Sequence, residues 1–206
     1  MYHIKGVGTV LAGRVLSGSL KVGDEIKVVP HTGEVHKVRS LEMFHCSRHV
    51  ALPGDVVGIV AGFKGAFSRG MVVCSPDSPL KATMCFTATV KILPTAKATI
   101  RRGYRPYVFC ATNTFAVCVD ALIARLDKHG QVEEDAPLAA KKGSTLLVRF
   151  VTEQPVCLDV YPSPVGRFLI RDGEETVAVG VIKSLEAQQA KNVQVLAKGA
   201  KKKYFK

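Results

Sequence analysis

Residues 97–107, KATIRRGYRPY, set Lys97, Arg101, Arg102 and Arg105 around Tyr104 and Tyr107. Guanidinium forks match phosphate oxygens in pairs, and tyrosine rings stack on bases or pack beneath arginines. That interleaving suits contact with a nucleic-acid backbone, although an ordinary solvated loop ahead of a strand carries the same charges. A second stretch, GRFLIRDGEETVAVGVIK (166–183), reads as two strands around an Asp172-Gly173 turn, the favoured two-residue hairpin connection. Arg171 sits beside that turn, and Gly173 would let a backbone approach without a Cβ in the way. Asp172, Glu174 and Glu175 repel phosphate, so an RNA contact here must be led by Arg171 or by the backbone. Ala178 and Gly180, small residues on the returning strand, leave room for a neighbouring strand or domain.

Bond-making motifs are missing. The chain contains no Gly-Lys dipeptide and therefore no G-x-x-x-x-G-K-[ST] phosphate cradle. Asp55-Val-Val-Gly58 and Asp127-Lys-His-Gly130 match the loose D-x-x-G pattern of nucleotide switches, but without a P-loop the match carries no weight. No G-x-S-x-G elbow occurs. His45 and His49 flank Cys46 at i, i+4, a spacing that converges on a metal only on a helix, and the flanks read as strand and turn. No catalytic residue, cofactor or metal is expected within this chain.

The elements that must position these residues are strands. GTVLAGRVLSG, DEIKVVP, VHKVRSLEMF, VVGIVAGF and MVVCSP alternate with period two, punctuated by glycine and proline. The run SPDSPLKA (75–82) reads as a linker, and MCFTATVKIL, YRPYVFCAT, TFAVCVDALIARL, TLLVRFVTE, VCLDVYP, RFLIR and TVAVGVIK follow as a second set. Short strands at this spacing argue for an all-β fold of two tandem β-barrels, 1–80 and 81–185, with a basic tail over 186–206. A helix is expected from Ser184 to about Leu196.

The 206 residues carry a formal charge of +12. Six tail lysines against Glu186 give the tail +5, which leaves the body at +7 and basic in its own right. Such a body attracts polyanions. Six scattered cysteines form no C-x-x-C pair and suit a reducing compartment. No stretch approaches 18 apolar residues and the N-terminus is no signal peptide, so a cytoplasmic location without a membrane partner is expected.

GVGTVLAGRVLSGSLKVGD, SLEMF, ALPGDVVG, RGYRP and GRFLIRDGEETVAVGVIK, in that order over about residues 1–185, resemble the second and third domains of elongation factor 1-alpha, a relative of elongation factor Tu. The resemblance implies two β-barrels, binding of aminoacyl-tRNA for delivery to the ribosome, and a guanine-nucleotide exchange factor as a further partner. GTP or GDP with magnesium would belong to an N-terminal domain that precedes the matching region, and the chain is expected to be a fragment of a longer factor. By resemblance, Tyr2 matches an aromatic that covers the terminal adenosine of tRNA, with Glu42 and Phe44 in the same pocket, while the plain structural reading of Phe44 is a place in the barrel core. Lys97, Arg101, Arg102, Arg105, Arg171, Asp172 and Gly173 would form the surface for the tRNA stem or a protein partner. Val56 departs from the family, whose Asn there helps to hold the esterified amino acid. Release-factor and ribosome-rescue GTPases share these barrels and carry a tRNA-shaped protein instead. VTEQPVCLDVY followed by GRFLIRD is nearer to that branch, while SLEMF, ALPGD and TVAVGVIK are nearer to elongation. A stand-alone RNA- or protein-binding paralogue is the third reading.

Overall fold

The structure, a computed structural model, describes residues 1–30, 34–78, 80 and 82–186. The chain forms two compact units, Met1–Lys81 and Ala82–Lys206. Both are built of strands, as two β-barrel domains.

The first unit contains β1 (Tyr2–Ile4), β2 (Gly8–Arg14), β3 (Leu20–Lys21), β4 (Glu25–Val29), β5 (Val35–Lys37), β6 (Ser40–Met43), β7 (Cys46–Arg48), β8 (Val50–Ala51), β9 (Val56–Val60) and β10 (Val72–Cys74). They pair antiparallel in the orders β1-β2-β9-β6-β7, β10-β4-β5 and β3-β8. Alternation explains the packing. Ile26 and Val28 of β4 and Val57 and Ile59 of β9 are buried, while their neighbours in sequence are not. With Leu41, Val38 and Phe63 they close one core. Buried His36 caps that core with its ring 5.0 Å from Phe63. The run VHKVRSLEMF, expected as one strand, is two. Val38 and Arg39 break the ladder to bond Asp24 and Val60, which sends β5 and β6 into different sheets.

The second unit contains β11 (Ala82–Ile92), β12 (Tyr107–Cys110), β13 (Asn113–Leu126), β14 (Val132–Asp135), β15 (Thr145–Cys157), a 3₁₀ turn (Pro164–Gly166), β16 (Arg167–Asp172) and β17 (Glu175–Glu186). The order β12-β16-β17-β11-β15-β13, with β12 also paired to β13, closes a six-stranded barrel, and β14 adds to the far edge of β13. Closure removes the open edges that a sheet otherwise presents. Phe86, Phe150 and Phe168 meet at its centre, with ring centroids 5.1–6.1 Å apart. A guanidinium on the outer wall ties three strands. Arg149 of β15 grips Glu186 of β17 through Nε at 2.9 Å and Nη2 at 2.6 Å, and Asp120 of β13 at 3.1 Å.

Three expectations are corrected here. Ser184–Glu186 continue β17 rather than opening a helix. Ser184 and Leu185 pair with Thr87 and Phe86, and Arg149 holds Glu186, so ladder and ion pairs outweigh helix propensity. The rest of that expected helix and the lysine tail lie outside the described residues. TLLVRFVTE and VCLDVYP share one strand that ends at Cys157, and a register shift opposite Thr83 and Cys85 accommodates Pro155. The β14 strand, exposed throughout and acidic at three of its four residues, carries no alternation and was invisible in the sequence.

None of the six cysteines forms a disulfide. Burial pushes the Cys110 thiol up to about 11, whereas Cys46 is exposed at the start of β7. Brief alkylation with iodoacetamide at pH 8 is expected to modify Cys46 and spare Cys110. Peptide mass mapping reads the outcome, and equal labelling of the two would contradict the packing around Cys110.

Candidate nucleic-acid interface

The second unit brings together two segments that lie about seventy residues apart in sequence. β12 pairs with β16, Tyr107 opposite Arg171, so the loop leading into β12 lies against the β16–β17 hairpin. The Tyr104 hydroxyl donates to Asp172 Oδ2 at 2.8 Å, and the Lys97 N–H donates to Glu175 Oε1 at 3.1 Å. Backbone bonds from Gly103 to Val119 and from Val119 to Tyr104 fasten the loop to β13. Arg105 reaches Glu153 at 2.9 Å.

This wiring gives part of the acidic hairpin partners within the barrel. Two of the three hairpin acids are occupied from within the barrel, Asp172 by a hydroxyl and Glu175 by a backbone donor. Arg101 and Arg102 are exposed and make no ion pair among the described residues. They line an open groove of about 630 Å³ with Thr99, Gly103, Tyr104 and Arg105. Arg171 is used differently. Its Nη2 donates to the Glu174 carbonyl at 2.7 Å, its guanidinium lies 5.5 Å from the Phe109 ring centre, and its buried Nε has no partner. The cations presented to an anion are therefore Arg101, Arg102 and Lys97 rather than Arg171. Asp172 pairs with Glu175, so the connection is Gly173-Glu174, one residue later than expected, and Gly173 takes φ 57°.

Burial raises the Tyr104 pKa well above the usual phenol range, and the hydrogen bond to Asp172 adds to it. The folded state favours the protonated phenol, so this stabilisation is complete below the unfolded pKa of about 10 and fades as pH rises through the folded value. Tyr104→Phe is expected to cost about 1 kcal/mol near neutral pH. It should also flatten the loss of stability above pH 10, as read by urea melts at several pH values.

The first-unit residues are distributed more widely. On the outer face of the five-stranded sheet, Tyr2 lies in the row Tyr2–Val10–Val60–Ser40, and Glu42 in the next row, opposite Gly58 and Ala12. Val56 starts β9 opposite Arg14, two residues beyond Gly58 on the same face. Tyr2 and Glu42 stand three strand steps apart, about 14 Å at ordinary sheet spacing. Phe44 is not core. It is 83% exposed at the tip of the β6–β7 hairpin, where Phe44 and His45 take φ 50° and 62°. Positive φ at both loop residues usually calls for Asn-Gly, so a phenylalanine held there is strained. His45 Nδ1 lies 3.7 Å from Glu42 Oε1.

Both D-x-x-G carboxylates make contacts within their own turns. Asp55 accepts from the Leu52 N–H, and Asp127 accepts from the N–H groups of His129 and Gln131. Among the described residues there is no group of three or more His, Cys, Asp or Glu side chains that could hold a metal ion. Among the described residues no helix is long and apolar enough to cross a membrane.

Residues 8–74 match the family described as elongation factor Tu domain 2, and residues 85–183 match the GTP-eEF1A C-terminal domain-like family. The chain belongs to the elongation factor 1-alpha family. It is 41% identical over 189 residues to elongation factor 1-alpha of Saccharolobus solfataricus, covering 88% of this chain and 42% of that protein. It is 37% identical over 210 residues to that of Saccharomyces cerevisiae, covering 98% of this chain and 45% of that protein. The chain thus spans less than half the length of these relatives, and it corresponds to the C-terminal part of an elongation factor 1-alpha-like translational GTPase. Among solved structures, Sup35 complexed with GDP superposes with a TM-score of 0.80 at 27% identity, over 89% of this chain and 46% of that one.

The sequence singled out both halves of the second-unit site but missed their link. Tyr104 read as a stacking ring, and nothing in the spacing paired it with Asp172, sixty-eight positions on. The Arg105–Glu153 pair was missed for the same reason.

Proposed function

We propose that the chain is the cargo-binding part of a cytoplasmic translation factor that carries aminoacyl-tRNA to the ribosome, with GTP and magnesium held by a domain outside this chain. The observation that carries the reading is the pair Arg101 and Arg102, without an ion-pair partner among the described residues, beside a hairpin two of whose three acids accept hydrogen bonds from the arginine loop. Tyr2, Glu42 and Phe44 on the first unit are proposed to meet the acceptor end. Lys97, Arg105 and the Asp172-Gly173 hairpin, with Arg171 packed behind it, complete the stem surface.

Arg101→Glu combined with Arg102→Glu is expected to weaken tRNA binding and to lower the slope of log affinity against log salt by about 1.4–1.8, two phosphate contacts' worth. An unchanged slope would remove this loop from the interface. A second reading, carriage of a tRNA-shaped release-factor protein, is favoured by Val56, which cannot hydrogen-bond an esterified amino acid, and by the likeness to Sup35. Native protein, immunoprecipitated with a non-hydrolysable GTP analogue and an exchange factor absent, separates the two. Aminoacylated tRNA in the precipitate supports elongation, and a release-factor-like protein without tRNA supports the second.

A further inference from the structure

The outer wall of the second barrel carries another cationic surface. An open groove of about 870 Å³ crosses β17, β11, β15 and β13, lined by Lys91, Lys128, Lys183, Thr89 and Thr145 over a floor of Leu126, Leu147 and Val132. Lys91 and Thr145 are register partners, and Thr89 is opposite Leu147, so these residues lie in two adjacent rows of the sheet. Lys183 falls where β17 shifts register against β11, between the partners of Thr87 and Ala88. Lys91 Nζ donates to the Gly143 carbonyl at 2.6 Å. Lys128 and Lys183 make no ion pair or hydrogen bond among the described residues. The groove's single acid, Asp127, is turned to the N–H groups of its own turn. Lys141 and Lys142, both exposed, precede Gly143 at the same end of β15.

We infer that this groove is a second binding site for RNA backbone, separate from the Arg101–Arg102 surface. The closed strand order sets the separation. β11, at the middle of the groove, is three strands in either direction around the barrel from β12, the strand that the arginine loop enters. Two ammonium groups without an ion-pair partner among the described residues and two threonine hydroxyls match phosphodiester oxygens, which need cations and hydroxyl donors but no fixed base contacts. The groove crosses four strands, about 14 Å from first to last, which accommodates a few nucleotides.

The test uses the chain with Lys128→Glu and Lys183→Glu, a fluorescein-labelled 12-residue oligouridylate, and fluorescence anisotropy over a salt series. Loss of two single-strand phosphate contacts is expected to lower the salt slope by about 1.4, or about 25-fold in affinity at 0.1 M salt relative to 1 M. Lys5→Glu with Lys64→Glu makes the same change of net charge on exposed residues of the first unit. An equal effect from that pair would reduce the groove to a share of the overall field and overturn the site. A normal slope in the groove variant would overturn it too, leaving the lysines to an acidic protein segment. Because the arginine variants are scored separately, failure of this site and failure of the tRNA surface are read independently. Circular dichroism melts identify any variant that fails to fold, and Lys128→Gln with Lys183→Gln then replaces it, with half the expected shift or more.

Discussion

Alanine at Phe150 is expected to destabilise the second unit by about 3–5 kcal/mol, measured as a shift in its urea midpoint. A whole domain has only about 5–15 kcal/mol to lose. Phe150 is fully buried, stacked 5.1 Å from Phe86 and edge-on to Phe168 at 6.1 Å. The cavity cannot be filled by a simple slide of Phe168, because that ring lies directly over Gly180, its cross-strand partner. A Cβ at position 180 would stand 2.4 Å from Phe168 Cζ. Gly180 is therefore small to admit this ring, not to admit a neighbouring domain. Gly180→Ala tests the same trio from the opposite side, by overpacking, with an expected cost of about 1–3 kcal/mol. Phe168→Leu shortens the side chain that the new methyl meets, so in the double variant the two costs should fall short of their sum. Strict additivity would show that the ring and position 180 are independent.

The period of two made the strands readable, because each strand that faces one core buries alternate residues, as β4, β9 and β15 do. Where alternation stops, the reading stopped with it. β14 is a strand only because β13 extends past the barrel and offers it an edge, and its acidic exposed residues carry no trace of that. The interface was half legible for a related reason. Local composition marked the arginine loop and the Asp-Gly hairpin, but the bonds that make them one surface join residues far apart in sequence. The Tyr104–Asp172 and Lys97–Glu175 links tie the two segments together and give two of the hairpin acids partners within the barrel. Composition counts those acids but cannot show that they accept hydrogen bonds from the arginine loop. Phe44 shows the reverse case. Its sequence context allowed a core position, and only the positive φ of the hairpin tip places it in solvent.

Asparagine at position 56 is expected to raise the preference for aminoacylated over uncharged tRNA, if aminoacyl-tRNA is the cargo of the intact factor. Val56 opens β9 in the stretch ALPGDVVG, on the sheet face shared with Glu42 and opposite Arg14. It is 46% exposed, so an amide there remains hydrated in the free protein and disturbs no core. Exposed substitutions away from packing rarely move stability by more than about 0.5 kcal/mol, which leaves binding as the readout. A polar group of an esterified amino acid that meets valine loses its hydrogen bond to water without gaining another, a cost of about 1–3 kcal/mol. Supplying the amide should recover that amount, about five- to 150-fold in affinity, for aminoacylated tRNA alone. Uncharged tRNA lacks the group and should bind as before. Competition between the two tRNA forms for the factor loaded with a non-hydrolysable GTP analogue measures the ratio directly. A protein cargo makes no use of an amino-acid pocket, so under the release-factor reading Val56→Asn changes neither the tRNA ratio nor the affinity for a release-factor-like partner. A gain confined to aminoacylated tRNA would place the chain with elongation and mark Val56 as a site where its grip on the amino acid has been relaxed.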